Sequence, residues 1–296
     1  HSGEYNHYFW KEFRRNVKEA NPDAIVLAEH YGDPTSWLQG DEWDTVMNYD
    51  AFMEPLTWFF TGVEKHSDEF RGDLLGNDVA FFGAMAHHMT RFNTPSLQIA
   101  MNEISNHDHS RFLTRTNRRV GRTATAGPQA ANEGINKGIM HQAVLMQMTW
   151  PGAPTIYYGD EAGVCGWTDP DNRRTYPWGH EDRELIRLHK ELIRIHKDYN
   201  ALKTGSLMFL AGHSQYLAYG RFNSNEHFVM AFNSSDHEIT EEISVWRLGV
   251  TDEMQMVRLI MTTGNGFSLE AAIYQVENGR VKVTLPPCTS VIIKTL

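Results

Sequence analysis

Residues 24 to 28, AIVLA, are five apolar residues without interruption, and EHYGDPTSW follows at once. So short a run, rich in branched side chains and closed by polar and aromatic residues, predicts a strand buried on both faces. A helix is predicted before it, from Tyr5 to Ala20. There Phe9, Phe13 and Val17 recur every four residues, and Asn21-Pro22 stops the pattern. The unit repeats. TVMNY (45–49) is a second strand, followed by helical stretches between Phe52 and Phe92. LQIAMNEIS (97–105) contains a third strand, with a helix from about Asn132 to Met148 after it. TIYY (155–158) is the fourth strand, and a last helix covers about Glu181 to Lys197. Strands alternating with helices predict an α/β domain with a mostly parallel sheet, and polar clusters after strands mark the edge where ligands sit. Four strands are visible, whereas a closed barrel needs eight.

After Leu202 the pattern changes. SLMFLA, YLAYGRF, HFVMAFN, HEITEEISVW, MQMVRLIM, RVKVTL and SVIIKTL are short strands separated by Gly, Asn, Asp and Pro turns, which predicts a small antiparallel domain. The expected division is residues 1–201 and 202–296, packed together without a linker.

The formal net charge is −10, and basic residues are dispersed apart from pairs such as Arg118-Arg119 and Arg173-Arg174. A nucleic-acid binder is thereby excluded, since it needs a concentrated positive face. Cys165 and Cys288 lie far apart, which argues against a disulfide scaffold. No run approaches eighteen apolar residues, so no membrane span is expected, and the start shows no export signal. His1 follows no initiator Met, so upstream sequence could carry one. Trp37, Trp43, Trp167 and Trp178 sit beside polar loop residues. Their flat faces suit either sugar rings or surface packing.

Glu29 directly follows the first strand, where partial desolvation raises a carboxyl's proton affinity and suits it to act as an acid. Its bland alternative is a rim residue paired with a cation. Asn106-His107-Asp108 sits after the third strand and supplies a second carboxylate at the same rim. Glycoside hydrolysis needs such a pair, one group protonating the leaving oxygen while negative charge supports an oxocarbenium-like transition state. His107 can donate to a sugar hydroxyl, and Arg111 either holds a carboxylate or lines the pocket. A metal site at His107, Asp108 and His109, or a ligand-free helix cap, stays open. His87-His88 reads as a packing or surface pair. In WTDPDNRRTYPW, Arg173, Arg174, Tyr176 and Trp178 form either the wall of a sugar cleft or a loop tied through Asp169 and Asp171. GDEAG (159–163) lacks the Lys-Ser/Thr pair of a phosphate loop and reads as a tight turn, with calcium left open. The chain contains no GxSxG, HExxH or CxxC, so serine hydrolase, zincin and dithiol chemistry have no basis.

Together AIVLAEHYGD, ISNHDHSRF, APTIYYGDEAG and DPDNRRTYPW, in that order, resemble the alpha-amylase superfamily of glycoside hydrolases, in its neopullulanase, cyclomaltodextrinase and maltogenic amylase branch. The resemblance covers about residues 5 to 198. It implies the second half of a (β/α)8 TIM barrel, strands 5 to 8, followed by an antiparallel β-sandwich. It implies that Glu29 is the general acid/base, that Asp108 stabilises the transition state, and that His107 holds the sugar with Asn106 in support. Further substrate contacts are expected from His30, Tyr31, Arg111, Arg173 and Trp167. The family's nucleophilic Asp and its Arg lie at the fourth strand and have no match in residues 1–296. A companion polypeptide carrying the N-terminal half is therefore expected, and no activity without it. The implied reaction is retaining hydrolysis of α-1,4-glucosidic bonds in maltooligosaccharides, cyclodextrins or pullulan, with α-1,6 bonds left open. Transglycosylation, or a non-catalytic carbohydrate-binding or partner role, are the alternatives. No cofactor is required by this chemistry, while calcium, a homodimer and the compartment (cytoplasmic in the branch, or secreted) are left open.

Overall fold

The structure, a computed structural model, describes residues 6–296. Tyr5, the expected helix start, lies outside them. Helix α1 (His7–Ala20) is capped by the Asn6 side chain, which accepts the Phe9 N–H, and ends at extended Asn21. Its inward face is the expected one only at Val17. Trp10 and Val17 pack on the core, whereas Phe9 and Phe13 are exposed. Arg14 and Lys18 instead reach Asp44 at 2.6 and 3.1 Å, and Asp44 accepts the Val26 N–H, so the helix is fastened to the strand after it by charge as well as packing.

Four short strands follow in chain order, β1 (Leu27–Ala28), β2 (Thr45–Val46), β3 (Met101–Asn102) and β4 (Ala153–Pro154). β1 pairs with β2 and β3 with β4, both parallel, and a parallel bridge between Met47 and Met101 joins the two pairs. This is the expected parallel order, with two corrections. The first run is not buried on both faces. Val26 and Ala28 pack among Leu38, Trp43 and Val46, but Ile25 and Leu27 on the other face are 62% and 40% exposed. The fourth strand is Ala153–Pro154 rather than TIYY, which leads instead into the turns from Tyr158. Its register is anchored by Gly152, whose φ of +135° brings it so close to Asn102 that a Cβ would stand 2.4 Å from Asn102 Nδ2.

After β2 the chain makes a π-turn over Tyr49–Met53 and then forms α2 (Glu54–Thr61) and α3 (Asp78–Met89). The helix Lys137–Thr149 begins five residues later than expected because left-handed Gly134 breaks the pattern and Asn136 caps it by accepting the Ile139 N–H. It is buried almost throughout, packed between the helix Arg183–Asp198, α2 and the β-rich part. Each of its buried Ile, Leu, Val and Met side chains contributes roughly 1.5–3 kcal/mol.

Beyond the short helix Asn200–Thr204 come nine strands: β5 (Ser206–His213), β6 (Tyr216–Phe222), β7 (His227–Asn233), β8 (Ile239–Ser244), β9 (Gln255–Thr263), β10 (Gly266–Ser268), β11 (Ile273–Gln275), β12 (Arg280–Leu285) and β13 (Thr289–Thr295). All the expected strands are present. β10 and β11 are additional, three residues each, in segments too short to show alternation. One antiparallel sheet runs β10-β9-β13-β7-β6-β5 with β11 also on β9, and β8 pairs with β12. Alternation divides the large sheet's side chains. Tyr216, Ala218, Val229, Ala231, Val291 and Ile293 pack with Ile243, Val281 and Val283 of the β8–β12 pair. On the opposite face Leu217, Tyr219, Phe228, Met230, Phe232 and Ile292 join the helical core, which presses the β-rich part onto the α/β part. Among the described residues no helix is long and apolar enough to cross a membrane.

Candidate active site

Period-2 alternation puts Ile25, Leu27 and Glu29 on one face of the chain at β1, so Glu29 emerges at the strand's end beside the exposed apolar residues. Its Oε1 accepts a hydrogen bond of 3.2 Å from Tyr49 Oη, which arrives from the π-turn after β2. From the loop after β3, His107 Nε2 stands 3.5 Å from Glu29 Oε1 and 3.5 Å from Asp108 Oδ1. One atom from each of the three residues lies within 4.8 Å of the others. Glu29 and Asp108 thus converge at one rim, half-exposed, with an imidazole between them.

The loop that carries His107 and Asp108 is held by Asn106. This buried residue accepts the N–H groups of Asp108 and His109 on Oδ1, each at 3.0 Å. Asn172 Nδ2 donates to the carbonyls of Asn106 and His109, and Thr168 Oγ1 to that of Asp108. Arg173 lies 3.9 Å from Asp108 Oδ1, donates to the His107 carbonyl and pairs with Asp169 at 2.6 Å, while Arg174 pairs with Asp171 at 2.7 Å. Both arginines therefore tie the loop, and Arg173 also reaches Asp108.

Tyr31 lies flat on Tyr49 with centroids 4.4 Å apart, and its hydroxyl is 3.3 Å from His109 Nε2. Desolvation pushes the Tyr31 hydroxyl up to about 12 and pushes His109 down to about 2, so both stay neutral. His30 packs its ring 4.9 Å from Trp37 and 5.3 Å from Trp43, and burial lowers its proton affinity.

Two expected substrate contacts are corrected. Arg111 is fully buried. Its Nη1 donates to the Tyr158 carbonyl at 2.6 Å and to Asp160 at 2.9 Å, and its Nε to the Asn172 carbonyl at 2.8 Å. It pins the floor under the loop instead of lining a cleft, because every neighbouring carbonyl needs a donor that water does not supply. Trp167 is also buried, with its indole N–H on the Gly127 carbonyl at 2.9 Å. Of the four singled-out tryptophans, Trp178 is the one strongly exposed, at 80%, with Tyr176 beside it at 4.5 Å. His87 meets Arg91 at 3.1 Å, in keeping with a surface pair.

Sequence reasoning missed Tyr49, Glu103 and Lys65. Glu103 is buried just past β3. It accepts from Asn106 Nδ2 at 2.7 Å, and the same nitrogen lies 3.1 Å from Tyr49 Oη. Burial pushes its carboxyl up to about 8, against the Asn106 hydrogen bond and with help from Asp160, Glu29 and Asp108. A carboxylate inside the apolar run LQIAMNEI was its sequence signal. Lys65 pairs with Glu54 and stands 5.2 Å from the Tyr31 ring, and no local pattern marks it.

The donors of Glu29, His107 and Asp108 are close enough to hold a metal ion, but calcium takes six to eight oxygens and this set offers two carboxylates and a nitrogen. In GDEAG, Asp160 Oδ1 accepts from Arg111 and Glu161 accepts the Gly159 N–H.

A family model described as alpha amylase, catalytic domain, matches residues 1–203. Neopullulanase 2 of Thermoactinomyces vulgaris is 36% identical over 196 residues, covering 63% of this chain and 28% of that protein. A cyclomaltodextrinase of Bacillus sp is 32% identical over 237 residues, covering 79% of this chain and 37% of that protein. Among solved structures, one titled cyclomaltodextrinase superposes with a TM-score of 0.78 at 25% identity, covering 99% of this chain and 44% of that one. The native debranching enzyme of Nostoc punctiforme gives 0.76 at 26%, covering 96% and 55%. The chain thus spans well under half the length of these two curated relatives.

Proposed function

Because the chain belongs to the alpha-amylase catalytic-domain family of glycoside hydrolases, we propose that it supplies the acid/base side of a retaining site for α-1,4-glucosidic bonds. Maltooligosaccharides, cyclodextrins and pullulan are the proposed substrates, in line with relatives named neopullulanase and cyclomaltodextrinase. The observation that carries the reading is the convergence of Glu29, His107 and Asp108 within 4.8 Å at one rim of the parallel sheet.

In this reading the four parallel strands are strands 5 to 8 of an eight-stranded barrel. The first half, with the nucleophilic carboxylate, comes from a segment of the relatives' length that this chain does not span. Exposed Ile25 and Leu27, on the same face as Glu29, support a covering layer there. The nucleophile attacks the anomeric carbon as protonated Glu29 gives its proton to the leaving glycosidic oxygen. Glu29 then takes a proton from water, whose oxygen displaces the nucleophile and releases the sugar. Asp108 supports positive charge on the ring, and His107 donates to a sugar hydroxyl. The reaction so read needs no cofactor.

The test is release of reducing sugar from maltooligosaccharide by the assembled full-length protein and by its Glu29→Gln variant. The variant is expected to lose on the order of 10²–10⁴-fold in kcat while still binding glucan. An undiminished rate in the variant would refute the role of Glu29, and inactivity of the assembled wild type would refute the reading.

A further inference from the structure

Behind the carboxylate of Glu29 runs a line of hydrogen bonds sealed from water. Asn106 Oδ1 is committed to two main-chain N–H groups, those of Asp108 and His109. The side-chain amide therefore cannot turn over, and its two N–H bonds must point the other way. One goes to Glu103 Oε1 at 2.7 Å and the other to Tyr49 Oη at 3.1 Å. With one lone pair of the phenol accepting from Asn106, its own proton goes to Glu29 Oε1 at 3.2 Å in preference to the weaker thioether acceptor Met47 Sδ at 3.4 Å. Glu103, Asn106 and Tyr49 are each no more than 2% exposed.

We propose that Glu103 is a positioning residue for Glu29, acting through Asn106 and Tyr49. The inference rests on the acid/base role of Glu29 given above. Glu103 never meets the sugar. It supplies the acceptor that keeps the Asn106 amide in plane with Tyr49 Oη, and the same amide holds the backbone of Asp108. Through the phenol, a single buried carboxyl thereby sets the aim of the proton donor. Losing that acceptor would leave a buried N–H unpaired, and Asn106 would move to find water or another carbonyl. The phenol would follow, and misplacement of a reacting group by about 1 Å costs on the order of 10²-fold in rate.

The experiment compares Glu103→Leu, Glu103→Gln, Tyr49→Phe and the Glu103→Leu/Tyr49→Phe double variant in the assembled full-length protein, measuring kcat and KM on maltooligosaccharide. Glu103→Leu and Tyr49→Phe are each expected to lower kcat by about tenfold to a hundredfold with KM nearly unchanged. Glu103→Gln, whose carbonyl still accepts from Asn106, is expected to keep kcat within about threefold. The double variant is expected to fall no further than Tyr49→Phe alone, because both changes cut one line. A purely structural role would instead give multiplying losses, and that result overturns the proposal. Tyr49→Phe keeps the ring and its stacking on Tyr31, so wild-type kcat in this variant overturns the proposal whether or not Glu103→Leu folds. An inactive wild type overturns the functional reading and this proposal together. An active wild type with undiminished variants overturns the proposal alone.

Discussion

Replacing Glu103 by Gln should change how stability depends on pH, and the sign follows from burial. The Glu103 carboxyl is pushed from its ordinary value of 4.5 up to about 8, chiefly by desolvation. Below pH 4.5 the group is protonated in both the folded and the unfolded chain. As pH rises past 4.5, the unfolded chain releases this proton while the folded protein retains it, so unfolding is favoured increasingly until the folded group also ionises near 8. The stability lent by the folded state's proton affinity is therefore present at low pH and lost as pH climbs from 4.5 through 8. About 3.5 pH units separate the two values, and at 1.36 kcal/mol per unit the loss is about 5 kcal/mol. Gln carries no such proton. The stability of Glu103→Gln minus that of wild type should thus rise by about 3–4 kcal/mol between pH 5 and pH 8 and level off above it. Denaturant unfolding of the full-length protein at pH 5, 6.5 and 8 measures this difference directly. A difference independent of pH would refute the claim that Glu103 is held as a neutral buried acid, and a fall would mean that a cation holds it ionised.

Removing Arg111 as Arg111→Met leaves Asp160 buried without its partner and should cost about 3–5 kcal/mol in denaturant unfolding. Unchanged stability would contradict its placement as a floor pin. Trp178→Ala should alter stability by less than about 0.5 kcal/mol because the side chain is 80% exposed. If its face, with that of Tyr176, receives a sugar ring, calorimetry should show glucan binding weakened by up to roughly tenfold, and unchanged binding would leave the pair as surface packing. Chelation with EDTA should leave the hydrolytic rate unaltered, and a loss restored by calcium would show that a cation shares the site.

Much of this protein is legible along the chain because the signals are local. Asn6, Asn136 and Asp182 cap helices with their own side chains three residues ahead, and the β-rich part announces itself by short apolar runs between turns and, in Arg280–Leu285, by strict alternation. Glu29 could be chosen from sequence because it sits immediately after a strand, and Asp108 because Asn106-His107-Asp108 follows the apolar run that contains β3, at the rim where a parallel sheet gathers side chains. The order of the four motifs then identified the family. What remained hidden depends on contacts between residues far apart in sequence. Arg111 and Trp167 belong to residue types that usually keep a polar end in water. Carbonyls 47 and 61 residues from Arg111, and one 40 residues from Trp167, draw them inside. Tyr49 and Asn106 are 57 positions apart, and neither has a local pattern that foretells their meeting. Local order along the backbone thus determined which elements form and which carboxylates stand at the rim. Only folding decided which polar groups lie beneath that rim, because burial and hydrogen-bond geometry arise when distant segments exclude water together.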